Sequence, residues 1–94
     1  MPVVRIEHKV ASFEKWKQVF DSDPVNRKGA GVRRYQISRL QNDPDYVMID
    51  LEFDSTDQAE AFVQTMLRIW DGPGKAVMQY PRARIVDVVE AREL

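Results

Sequence analysis

Cysteine is absent from these 94 residues, so no disulfide, thiolate metal site, iron–sulfur cluster or cysteine nucleophile can form. Histidine is almost absent too. One residue, His8, leaves no multi-histidine centre, and neither a metal nor a cofactor is expected. An excess of charge of either sign is missing, because 14 Lys and Arg face 15 Asp and Glu for a net charge of −1. That balance argues against a polyanion or an anionic membrane as the main partner. No apolar run is long enough to span a bilayer, and the N-terminus lacks the basic-then-apolar pattern of a signal peptide. A cytoplasmic protein is the default expectation. What the chain does have is 44% hydrophobic and 31% charged residues, an ordinary globular balance. At this length one domain, residues 1–94, can bury roughly 60–70% of its unfolded surface around one modest core.

Hydrophobic periodicity divides the chain into six elements. Val3 to Val10 alternates, with Val4, Ile6, His8 and Val10 on one side and Val3, Arg5, Glu7 and Lys9 on the other, which predicts a strand. Ser12 stands where an N-cap belongs, and Phe13, Trp16, Val19 and Phe20 follow at helical spacing up to Asp23-Pro24. The residue before a proline is pushed out of the α region, so the helix is expected to span 12–23 and stop there. A loop through Gly29-Ala30-Gly31 leads to a strand over Val32–Leu40, with Tyr35 and Ile37 on its more apolar side. The turn signal Gln41-Asn42-Asp43-Pro44-Asp45 predicts a hairpin into a strand over Tyr46–Phe53. Ser55 and Gln58 fit a capping box, opening a helix over 55–71 whose stripe is Ala59, Phe62, Val63, Met66, Leu67 and Trp70. Gly72-Pro73-Gly74 ends it, 75–80 has room for a short extra turn, and Arg82–Glu90 reads as the last strand.

The order β-α-β-β-α-β is the split pattern of a ferredoxin-like plait, an α+β fold. Right-handed crossovers put both helices on one face of a four-stranded antiparallel sheet. The second face then carries Arg5, Glu7, Lys9, Arg34, Gln36, Asp50 and Glu52, both signs together.

Few local motifs carry chemistry. Gly29-Ala30-Gly31 follows a helix and precedes a strand, the reverse of a phosphate loop. Arg33 and Arg34 lie on one strand and point opposite ways, so they suit a charged edge better than a phosphate clamp. The open sheet face offers Tyr46 as its one aromatic, too little for stacking bases, and no nucleic-acid partner is expected. Asp50 and Glu52 could form an acid–base pair, but Arg5 and Lys9 on the same face are expected to neutralise them.

Topology makes a more telling grouping. One end of the helix-covered layer collects the end of the first strand, the start of the first helix, the end of the second helix and the start of the last strand. His8, Trp16, Met66, Trp70 and Tyr80 therefore converge. A largely apolar cleft with a few polar groups is the usual composition of a small-molecule site. Each member also has a plain structural reading: the tryptophans as core residues, Tyr80 as a loop anchor, and His8 as a hydrogen-bonded buried residue.

His8-Lys9-Val10 followed by Phe13-Glu14-Lys15-Trp16-Lys17-Gln18-Val19-Phe20-Asp21, then Gly31-Val32 to Tyr35, Leu51-Glu52-Phe53-Asp54 and Ala59-Glu60-Ala61-Phe62, resembles the dimeric α+β barrel superfamily in its antibiotic-biosynthesis-monooxygenase-like branch. The resemblance covers nearly the whole chain. It implies two ferredoxin-like protomers pairing through their open sheet faces, with a ligand cleft between sheet and helices in each. Family members include cofactor-independent oxygenases of quinols and polyketides, and haem-degrading oxygenases. The latter use a strand-one Asn, a Trp late in helix two and a His after it. Trp70 matches the tryptophan, while strand one offers Glu7 or His8 and no histidine follows Trp70. Trp70, Tyr80 and Arg82 could stand in for the polyketide oxygenases' Trp, Tyr and Arg, but their Asn is missing as well.

Three readings stay open. In the first, a cofactor-independent monooxygenase or isomerase acts on a small aromatic or enolisable substrate. His8 is its general base, Trp16, Met66 and Trp70 hold the substrate, and Tyr80 bonds an oxygen. In the second the same cleft binds a ligand without chemistry. In the third the protein is a structural homodimer whose cleft is filled by its own side chains.

Overall fold

A computed structural model describes residues 1–71 and 79–94, the side chains of 79–81 excepted. The elements run β1 (Pro2–Lys9), α1 (Phe13–Asp21), β2 (Val32–Leu40), β3 (Asp43–Phe53), α2 (Thr56–Trp70) and β4 (Gln79–Asp87). The strands form one sheet in the order β2-β3-β1-β4, each neighbour antiparallel. That is the expected ferredoxin-like plait.

Alternation along the two central strands builds the core. Val4, Ile6 and Val10 from β1 and its end meet Val47, Ile49, Leu51 and Phe53 from β3 on the face that also receives Trp16 of α1 and Ala59, Phe62 and Trp70 of α2. Both helices start on serine caps. Ser12 accepts from the Lys15 N–H at 3.4 Å, and Ser55 from the Gln58 N–H at 3.2 Å. The capping box at Ser55 is only half formed. Gln58 instead lies against Gly31, its Oε1 buried without a partner among the described residues. A Cβ on Gly31 would come within 2.6 Å of the Gln58 side chain and displace it, and Gly31 holds φ +101°, so the backbone requires glycine there.

The boundaries differ from expectation where pairing overrides composition. β4 was expected over Arg82–Glu90 but runs from Gln79 to Asp87. Pro2 pairs with Asp87, so β1 has no residue left to pair with 88–90. Pro81 falls within β4, an edge strand, where a missing N–H is tolerated. β3 begins at Asp43 rather than Tyr46, because Leu40 pairs with Asp43 across a turn reduced to Gln41-Asn42. Val10 N–H then donates to Asp45 O at 2.8 Å, holding that end of β3 to β1. α1 stops at Asp21, two residues short, where Ser22 caps it and Asp23 turns left-handed with φ 55°. The expected breaker Gly72-Pro73-Gly74 lies outside the described residues. So does most of the expected turn over 75–80, whose last two residues already belong to β4.

Candidate functional site

His8 is the one polar or charged side chain in the fully buried set among the described residues, 1% exposed. It follows Val4 and Ile6 on the alternation of β1, so pleating alone turns it inward. Burial disfavours the charged imidazolium and lowers its pKa to about 4, so the ring is neutral at pH 7. Its Nδ1 finds no hydrogen-bond partner among the described residues. Leaving such a group unpaired costs about 1–3 kcal/mol.

Aromatic rings surround it. Trp16, on the inward stripe of α1, lies with its centroid 5.5 Å from that of His8. Phe20, one turn further along α1, is 5.2 Å from Trp16. Trp70 ends α2, 7% exposed, and its indole Nε1 is likewise buried without a partner among the described residues. Met66 sits one turn earlier on the same helix and is half-buried.

These side chains border one cavity of about 500 Å³ between sheet and helices, its floor including Ile6, Ile49 and Leu51. That volume falls in the class of small-molecule sites, roughly 300–1,000 Å³. Of the expected site residues, His8, Trp16, Met66 and Trp70 all line it. The side chain of Tyr80 lies outside the described residues. Sequence reasoning missed Ser22 and Arg27, which line the cavity from beyond the end of α1. The Ser22 hydroxyl is engaged with the Val19 carbonyl at 2.6 Å. Arg27 follows left-handed turns at Asp23 and Asn26 that fold the loop back under the helix, and no local pattern announces such a reversal.

The other face of the sheet is chemically different. Arg5 donates to Asp50 through two bonds, 2.9 and 3.2 Å, which raise the Arg5 pKa further. Arg84 donates to Glu7 at 2.7 Å, and the Tyr46 hydroxyl approaches Glu7 at 3.4 Å. Asp50 and Glu52 were expected to share Arg5 and Lys9. Instead Glu52 pairs with Arg34 and Lys9 with Asp43, because register sets Arg34 beside Glu52 on β2 while Val3 faces it on β1. Between the pairs runs a shallow groove of about 350 Å³ that includes Met48 and Val86. Among the described residues, no group of three or more His, Asp or Glu is placed to hold a metal ion. Nor is any helix there long and apolar enough to cross a membrane.

No family model and no curated protein matches the chain. Solved structures do. A candidate antibiotic biosynthesis monooxygenase from Deinococcus radiodurans superposes with TM-score 0.65 at 14% identity, over 100% of this chain and 98% of that one. A second such candidate, from Nitrosomonas europaea, gives 0.62 at 18% identity over 96% and 100%. A dimeric ferredoxin-like protein from an uncultured marine organism gives 0.65 at 15% over 99% and 98%. The likeness is one of fold. It bears out the architecture that the resemblance implied, over essentially the full length of each chain.

Proposed function

We propose that the chain is a small-molecule-binding protein of the dimeric α+β barrel type, taking a planar aromatic ligand between sheet and helices. One observation carries this reading. Two buried ring nitrogens, His8 Nδ1 and Trp70 Nε1, lack partners among the described residues and border the same apolar cavity. Buried polar groups are normally satisfied, and two orphans on one cavity wall suggest that a ligand completes them. The indole N–H can only donate, so it asks for an oxygen or similar acceptor. The neighbouring aromatic rings offer flat apolar contact to the remainder.

A catalytic form of this reading is favoured by the neutral imidazole and by the names of the fold neighbours. His8 would accept a proton from an enolisable or phenolic substrate. The anion formed beside it would raise the imidazole pKa, so proton transfer and charge separation support each other. The deprotonated substrate would pass one electron to dioxygen, and the two radicals would recombine without a metal.

The assembly belongs to the same proposal. A homodimer is expected to pair through the charged sheet face, with Met48 and Val86 supplying apolar area between ion pairs. An interface of this kind should bury on the order of 2,000 Å² or more.

Calorimetric titration with a naphthol tests binding, and oxygen uptake with a quinol under air tests chemistry. Saturable binding lost in His8→Ala supports the site, and uptake above the protein-free blank that vanishes in the same variant supports the oxygenase form. Failure to bind any flat aromatic would leave a self-filled structural protein. Sedimentation should give twice 11.0 kDa at micromolar concentration, and a single 11.0 kDa species would remove the dimer.

A further inference from the structure

Arg27 is the one charged side chain on the cavity wall among the described residues. Its place is held from several sides. The guanidinium carbon stacks 3.8 Å from the centroid of Phe20 and 5.2 Å from that of Tyr35. Nη1 donates to the Phe20 carbonyl at 2.6 Å. Asp23 lies 3.4 Å from the same Nη1, but its Oδ1 already accepts the Arg27 backbone N–H at 2.9 Å. A charge-assisted contact at full strength is shorter, about 2.7–2.9 Å. The side chain is 13% exposed, yet Nε and Nη2 make no hydrogen bond among the described residues. A guanidinium cannot shed its charge and has five N–H donors in a planar fork. Most of that fork is uncommitted.

The position of Arg27 relative to the two orphan nitrogens sets a length. His8 pairs with Val47 on β3, whereas Tyr35, beneath Arg27, pairs with Leu51. Four strand residues separate these levels, about 13 Å along the strand direction at the usual rise, and β3 lies between β1 and β2, so the two ends are offset across the sheet as well. Rings of Trp16 and Phe20 bridge the interval along α1. A separation of that size calls for an elongated ligand, with two fused rings rather than one between its polar ends.

Resting on the binding function above, we infer that the cavity selects an elongated aromatic acid. Its carboxylate would meet the free edge of Arg27, and an oxygen at the far end would meet Trp70 and His8. Arg27 is then the residue that determines specificity for the anionic end.

The probes are a hydroxynaphthoate with hydroxyl and carboxylate at opposite ends, and its methyl ester, titrated calorimetrically into the full chain. The acid should bind at least about tenfold more tightly than the ester. Arg27→Gln should erase that preference, so that acid and ester bind with equal affinity, and Arg27→Lys, which keeps charge without the fork, should restore part of it. Equal affinity of acid and ester for the unaltered protein would overturn the inference and leave the binding function standing. A preference for the acid that persists in Arg27→Gln would overturn the role of Arg27. Binding of neither probe would overturn the inference together with the cavity reading. The comparison of acid with ester needs no variant, so it decides the matter even if Arg27→Gln fails to fold.

Discussion

The two faces of the sheet are written by alternate residues of the same strands, yet they solve opposite problems. On the open face Arg5, Glu7, Lys9, Arg34, Asp50 and Glu52 each have an ion-pair partner. On the covered face one imidazole is buried in hydrocarbon and aromatic rings with its Nδ1 unpartnered among the described residues. Most of the charged face is therefore paired within itself, with Arg82 of β4 left without an ion pair among the described residues, and it suits the proposed second protomer. The covered side leaves two ring nitrogens, His8 Nδ1 and Trp70 Nε1, without partners among the described residues, and the proposed ligand would complete them. A polar group left uncompensated tells more about function than a dense array of charges that satisfy each other.

Neighbouring residues of β3 break the comparison most sharply. Leu51, 1% exposed, belongs to the core, and Leu51→Ala should cost about 2–5 kcal/mol at any protein concentration, measured by denaturant unfolding. A cost under about 1 kcal/mol would mean that the covered face is loosely packed.

Acid should act through His8 next. In the unfolded chain imidazole takes a proton near pH 6.5, whereas in the fold it resists until about pH 4. The unfolded state therefore binds more protons between those values. Stability is therefore untouched by His8 titration above about pH 6.5 and falls as pH drops from there toward 4, by on the order of 3 kcal/mol in all. His8→Leu should flatten that part of the pH profile relative to the unaltered protein. An unchanged profile would show that His8 does not govern it.

At pH 7 the same His8→Leu should raise stability by about 1–2 kcal/mol, because an apolar side chain of similar size removes an unpaired nitrogen. It should also abolish aromatic binding, the exchange of stability for function expected of a site. A destabilised variant would mean that the imidazole is satisfied within the fold.

The smallest effect on a single protomer belongs to the open face. Asp50→Ala breaks a half-exposed pair and should cost no more than about 1 kcal/mol of protomer stability. In the proposed dimer it leaves Arg5 buried without its counterion, so sedimentation should show weaker association than in Arg5→Met/Asp50→Leu, where both charges are gone. Equal association of the two variants would place the open face in water.

Much of this was legible from alternation and helical spacing. β1, β2 and both helices fall within a residue or two of expectation, because a buried face and a solvated face leave a two-residue or 3.6-residue rhythm. The convergence of His8, Trp16, Met66 and Trp70 followed from topology, since antiparallel order fixes which element ends share one end of the layer. Illegible features depended on long-range pairing. β4 is positioned by what β1 offers it, not by its own composition. Glu52 chose Arg34 for the same reason. Arg27 reaches the cavity through two left-handed residues that no periodicity encodes.

The central claim is that the covered face reserves the His8 nitrogen for a ligand, and a single histidine makes it directly observable. Nitrogen NMR of the imidazole during titration with the hydroxynaphthoate follows His8 with no overlapping histidine signal. Saturable binding should shift the Nδ1 resonance in step with the calorimetric isotherm, as that atom gains a hydrogen-bond partner. Binding that saturates while both ring nitrogens stay unmoved would contradict the account, because the ligand would then occupy some other surface.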